Sequence, residues 1–179
     1  MVTARREYTL VWLALAVVAV GLLLAWQATW AAGTEKLSSG GLVDVSASGA
    51  QITPLGSAAA IVIIAMAVLV LITGRILRVI AGVIISASAI AAALIGLRVV
   101  TGVQQAALWN TYDGVIDVSA TLWGWVAVLL ALIAAVLGVL VAVRAPRWPG
   151  FSTRYDRGAR QPRDAWEALD RGLDPTLDE

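Results

Sequence analysis

The side chains able to do chemistry in this chain are few, and they sit at the edges of long apolar runs. There is no His and no Cys, which removes thiol nucleophiles, disulfides, haem attachment and the commonest zinc sites. No Asp, Glu, Lys or Arg falls inside the apolar runs described below, so acid–base or nucleophilic catalysis within them has no side chains to use. What remains is of two kinds. Trp26, Trp30, Trp109 and Trp123, with Tyr112 and Trp125 beside them, are flat aromatic surfaces on which a planar ligand would stack. Arg98, with Asp44 and Asp117 as natural carboxylate partners, suits a zwitterion such as an amino acid. Each set also has a plainer reading. Indoles prefer the headgroup level and form an interfacial belt, as Tyr8, Trp12 and Trp148 would at the opposite interface, and Arg98 can snorkel to a lipid phosphate. We expect no catalytic residue, no metal, no cofactor and no nucleic-acid partner.

The elements that position these residues follow from how charge is distributed. The 179 residues are 60% hydrophobic and only 14% charged, with a mean hydropathy of +0.84; a soluble domain is nearer one quarter charged. Four uncharged runs are long enough to cross a hydrocarbon core of about 30 Å as helices: 9–32, 55–73, 79–97 and 122–143. In lipid a spanning segment must satisfy its own backbone, so even the β-branched "AIVIIAMAVLVLITG" is read as helix. The first run exceeds the roughly 7–15 residues of a signal-peptide core, and "ATWAAG" puts a Trp where a cleavage site needs small residues; it is read as a retained span. Of the 13 Lys and Arg, only Lys36 and Arg98 fall in the links 33–54 and 98–121. The rest lie at the N-terminus, in the "GRILR" link and in the tail, which predicts a plasma-membrane protein with both termini cytoplasmic.

The two outer links repeat a phrase, "LVDVSA" at 42–47 and "VIDVSA" at 115–120, each followed by a Thr and then, three residues later, a Gly at the start of a returning span. The chain thus reads as two parallel hairpins. Thr53 and Thr121 are placed to cap the second and fourth spans, with Pro54 at the first helical position. Both phrases alternate apolar and polar residues, which predicts two short strands, and these are expected to pair with each other. Small residues on the third span (Gly82, Ser86, Ala89, Ala93, Gly96) and the fourth (Gly124, Ala131, Ala135, Gly138) predict that these two spans form the closest pair. Ser86 and Ser88 are read as structural, bonded to their own helix one turn back. The fold class expected is an all-α membrane protein: a four-helix bundle of two hairpins, a small β-sheet from the outer loops, and a cytoplasmic tail.

The tail, 149–179, changes character. Its first part is charged and poor in apolar residues, hence expected to be disordered. "RDAWEALDRG" then predicts a short helix over 164–171, with Asp164 as cap, Glu167 three residues on and Gly172 as stop. Trp166 and Leu169 share a face, and a helix this short is marginal alone. It is therefore expected to dock, with Asp164, Trp166, Leu169, Asp170, Arg171 and Asp174 as the partner-binding residues, on another membrane or cytoplasmic protein, on a second copy, or on the bilayer surface.

"AWEALDRGLDPT" at 165–176, with "SGAQITPLG" before the second span, resembles the actinobacterial tryptophan-operon-associated membrane proteins. The resemblance extends over nearly the whole chain. It implies four spans and a genomic association with tryptophan biosynthesis, and it assigns no catalytic residue. Two readings of function follow. One is an accessory protein that docks a partner through its tail. The other is a small oligomeric transporter or exporter subunit for an aromatic metabolite such as tryptophan or indole. No charged residue lies mid-membrane, where ion-coupled transporters keep one, and this favours the first.

Overall fold

The computed structural model describes residues 2–37, 39–103 and 115–148. Among them are four helices long and apolar enough to span a membrane: α1 (Val2–Gln27), α3 (Pro54–Ile72), α4 (Arg75–Arg98) and α5 (Trp123–Arg144). Between α1 and α3 come strands β1 (Thr29–Lys36) and β2 (Leu42–Ser48) and a single turn, α2 (Gly49–Ile52). A π-helical turn (Val99–Val103) extends α4, strand β3 (Val115–Ala120) precedes α5, and a 3-10 turn (Ala145–Arg147) follows it. Each span packs on two others in a ring, α1 beside α3 and α5, and α4 beside α3 and α5.

Most of the exposed apolar side chains are large, and most of the buried ones are alanines, packed around Leu15, Leu22, Ile63 and Ile85. Ile61, Val68, Val83, Ile90, Leu129 and Val136 are exposed, whereas Ala60, Ala67, Ala81, Ala89, Ala127 and Ala131 are buried. This inversion of a soluble core is expected in lipid, where burial of apolar surface does not drive helix association but close backbone approach does. The α4–α5 pair carries it furthest. A β-carbon on Gly82 would stand 2.6 Å from the Ala142 nitrogen, and one on Gly138 would stand 2.8 Å from the Ser86 nitrogen. Ser86 Oγ donates to the Gly82 carbonyl one turn back at 3.0 Å, as expected, and also lies 3.2 Å from the Ala135 carbonyl across the interface.

Two sequence expectations are corrected. The first span ends at Gln27, not Ala32. Twenty-six helical residues already reach about 39 Å, more than the hydrocarbon needs, and "TWAA" continues as strand. Hydropathy does not separate the two states, because Trp30, Ala31 and Ala32 are apolar in either. The repeated phrases do form strands, but they do not pair with each other: the order is β2-β1-β3, so β1 lies between them and is antiparallel to both. The central strand therefore begins within the stretch assigned to the first span, at Thr29–Ala32, continues into the outer link, and supplies backbone partners on both edges. An irregularity in the β1–β3 ladder falls between Ala32 and Thr34, opposite Ser119 and Ile116.

The capping expectations fare unevenly. Pro54 opens α3, but the Thr53 hydroxyl makes no cap bond. Instead Ser48 caps α2 in a reciprocal box with Gln51. Thr121 Oγ1 accepts weakly from the Trp123 N–H at 3.4 Å while donating to the Thr29 carbonyl at 2.6 Å, so it ties the start of α5 to β1.

Candidate functional site: the two ends of the bundle

At the sheet end, α1 runs directly into β1, and the two residues flanking that change, Trp26 and Trp30, are both 0% exposed. Their rings stack on each other, centroids 4.4 Å apart at 30°. The space they fill is made by glycines. A β-carbon on Gly49 would come within 2.5 Å of the Trp30 ring, and one on Gly56 would run into the Trp26 ring. Gly96 of α4 approaches both, its added carbon 3.8 Å from Trp30 and 3.9 Å from Trp26. Trp30 Nε1 donates to the Ala25 carbonyl at 2.8 Å. Trp26 Nε1 has no acceptor among the described residues. These indoles therefore present no surface to headgroups, and the belt reading does not hold for them.

Trp123 and Trp125 differ, being 48% and 51% exposed on the outside of α5, which suits the belt. Arg98 closes α4 as its last residue and is exposed. Among the described residues no ion pair joins it to Asp44, which is exposed on β2 opposite Thr34. Asp117 lies on β3. Trp109 and Tyr112 lie outside the described residues, as do the tail helix and Asp164, Trp166, Leu169, Asp170, Arg171 and Asp174. The sheet carries a shallow open concavity lined by Ala32, Gly33, Thr34, Asp44, Ser46 and Ser119, one carboxylate among three hydroxyls.

The other end gathers the start of α1, the α3–α4 turn and the end of α5. Arg78, expected in a link, instead sits on the first turns of α4 and is 2% exposed. Its Nε donates to the Val70 carbonyl near the end of α3 at 3.1 Å, where a cation also complements the helix dipole. Its guanidinium carbon lies 5.0 Å from the centroid of the Tyr8 ring. The Tyr8 hydroxyl reaches the same Val70 carbonyl at 3.4 Å. The edge of Tyr8 meets Trp148 at 5.2 Å and 65°. Trp12 Nε1 donates to the Ala67 carbonyl at 3.0 Å, and Glu7 pairs with Arg144 across α1 and α5. The belt expected here is thus partly a packed core: Trp148 is only 6% exposed.

Sequence reading gave no packing role to Arg78, Gly49 or Gly56 and passed over the Glu7–Arg144 pair. A signal for the glycines existed, since Gly49 and Gly56 stand seven apart in "SGAQITPLG". Nothing local signalled Arg78, which looks like any link arginine until three helices converge on it.

Four lipid-compatible spans, a close-packed small-residue interior and a three-stranded cap define a multi-pass membrane protein whose distinctive side chains lie at its two ends. Residues 12–176 match the tryptophan-associated transmembrane proteins, and the chain belongs to that family. No curated protein and no solved structure matches it.

Proposed function

We propose that this chain is a non-enzymatic accessory protein of the plasma membrane, linked to tryptophan metabolism, that docks a partner through its cytoplasmic tail. The observation that carries the reading is the filled interior. Trp26 and Trp30 occupy the sheet end of the bundle against Gly49 and Gly56, and α4 and α5 approach to backbone contact at Gly82 and Gly138. A solute path would need one of these seals to open. The bundle is better suited to hold its two ends in fixed relation than to pass a ligand between them. Charge supports cytoplasmic termini: Arg6, Arg75 and Arg147 are exposed at the tail end, against Lys36 and Arg98 at the sheet end.

The test is an affinity capture from native membranes with the full chain and with a chain ending at Arg160. Loss of specific companions on truncation supports docking; an unchanged set removes it. Labelled tryptophan or indole flux in cells with and without the gene separates the exporter reading, which requires a change in flux where the accessory reading requires none.

A further inference from the structure

The arginines at the tail end of the bundle fall into two groups. Arg78 is interior, and Arg144 is paired with Glu7 across α1 and α5. Arg6, Arg75 and Arg147, carried by three different elements, are exposed instead. Glu7 is the one carboxylate at this end among the described residues. The sheet end is more evenly balanced, with Lys36 and Arg98 against Glu35, Asp44 and Asp117.

The exposed arginines border apolar surface. Arg6, Leu10, Leu13 and Val17 are spaced four, three and four apart, so they share one face of α1, and all four are exposed. Val136, Leu140, Val143 and Arg147 repeat that spacing at the end of α5, and these too are all exposed. Arg75 opens α4 next to the exposed Ile76. The rise from Arg6 to Val17 is about 16 Å, roughly half the thickness of the hydrocarbon core. Each strip thus offers a cation at one headgroup layer and an apolar track the depth of one leaflet. A soluble anion would use only the cation, whereas a phospholipid uses both.

We infer that the tail end of the bundle is a site for anionic phospholipid. Headgroup phosphates gather on Arg6, Arg75 and Arg147, and acyl chains lie along the apolar strips that descend from them. A guanidinium suits this role, since it holds its charge beside hydrocarbon and binds phosphate oxygens through paired donors. The inference does not rest on the docking reading, because it concerns described residues and whichever leaflet meets this end.

The test reconstitutes the full chain in phosphatidylcholine bilayers. A trace of phosphatidylglycerol or phosphatidylcholine, spin-labelled on its acyl chain, is added, and the motionally restricted fraction gives the relative affinity for each. The native chain should prefer phosphatidylglycerol. One basic residue beside an anionic surface is worth roughly fivefold in binding. Arg6→Gln, Arg75→Gln and Arg147→Gln combined should therefore lower the preference by about that factor or more. Lysine at the same three positions should keep most of it, and Arg98→Gln, at the sheet end, should leave it nearly unchanged. Equal affinity for the two lipids in the native chain overturns the inference. So does a preference that survives the triple glutamine variant, which would place it elsewhere in the chain, or one that Arg98→Gln removes. Displacement of labelled phosphatidylglycerol by inorganic phosphate at constant ionic strength also overturns it, since the site would then hold a free anion. Should the triple variant fail to accumulate, the native chain decides: its preference must fall as potassium chloride is raised, and a preference indifferent to salt overturns the arginine site.

Discussion

Gly82 of α4 and Gly138 of α5 face each other so closely that a β-carbon on Gly82 would lie 2.8 Å from the Gly138 carbonyl oxygen. The obstructing atoms are backbone, so no rotamer change relieves the contact. Gly82→Ala should destabilise the bundle by about 1–3 kcal/mol, the usual range for overpacking, and Gly82→Leu should prevent assembly of the helix pair. Unfolding in mixed micelles, followed by circular dichroism or gel mobility, reads both.

Ser86 provides the contrast at the same crossing. Its Oγ sits near two carbonyls, but a carbonyl on the helix backbone keeps its intrahelical partner when the hydroxyl is removed. Ser86→Ala should therefore cost less than about 1 kcal/mol, in line with hydrogen bonds between membrane helices, and less than Gly138→Ala. The order of the two midpoints is the check.

Trp30 fills the space left by Gly49 and donates to Ala25. Trp30→Phe removes the hydrogen bond and part of the ring, and should cost about 1–2 kcal/mol. Trp30→Ala empties the site and should cost about 3–5 kcal/mol. Because the same residue anchors β1, protease sensitivity of the β1–β2 connection should rise along with the loss of stability.

Arg78 is buried while Glu7 and Arg144 are each more than a third exposed. Arg78→Lys keeps the charge but loses the planar guanidinium over Tyr8, and should lower the unfolding midpoint clearly. Glu7→Gln breaks a pair that solvent already screens and should change stability by less than about 1 kcal/mol. A midpoint shift for Glu7→Gln equal to that for Arg78→Lys would contradict this ranking.

Orientation has its own measurement. In the Cys-free chain, Gly41→Cys in the β1–β2 connection and Gly74→Cys in the α3–α4 turn lie at opposite ends. A membrane-impermeant maleimide added to intact cells should label position 41 and reach position 74 only after lysis. The reverse pattern would invert the proposed topology.

Most of the architecture was legible because lipid leaves so little choice. An uncharged run of about 20 residues must satisfy its own backbone, so α3, α4 and α5 lie within a few residues of where hydropathy places them. The α4–α5 crossing was legible for a related reason: glycines at helical spacing have few uses in a span other than close approach. Turn and strand signals were legible as elements but not as pairings, since "LVDVSA" and "VIDVSA" say only that each is extended.

By itself, then, the sequence determined the number of crossings, the close helix pair and the two strands of the cap, since each follows from solvent and local spacing. Tertiary structure alone decided that "TWAA" leaves the first helix and joins "GTEK" in the central strand, because an apolar stretch is acceptable in either state and only partners on both edges choose between them. It also decided that Trp26 and Trp30 are interior rather than interfacial, and that Arg78 is buried. An indole or a guanidinium is amphipathic, and which of its halves is satisfied depends on glycines, carbonyls and rings brought from distant parts of the chain.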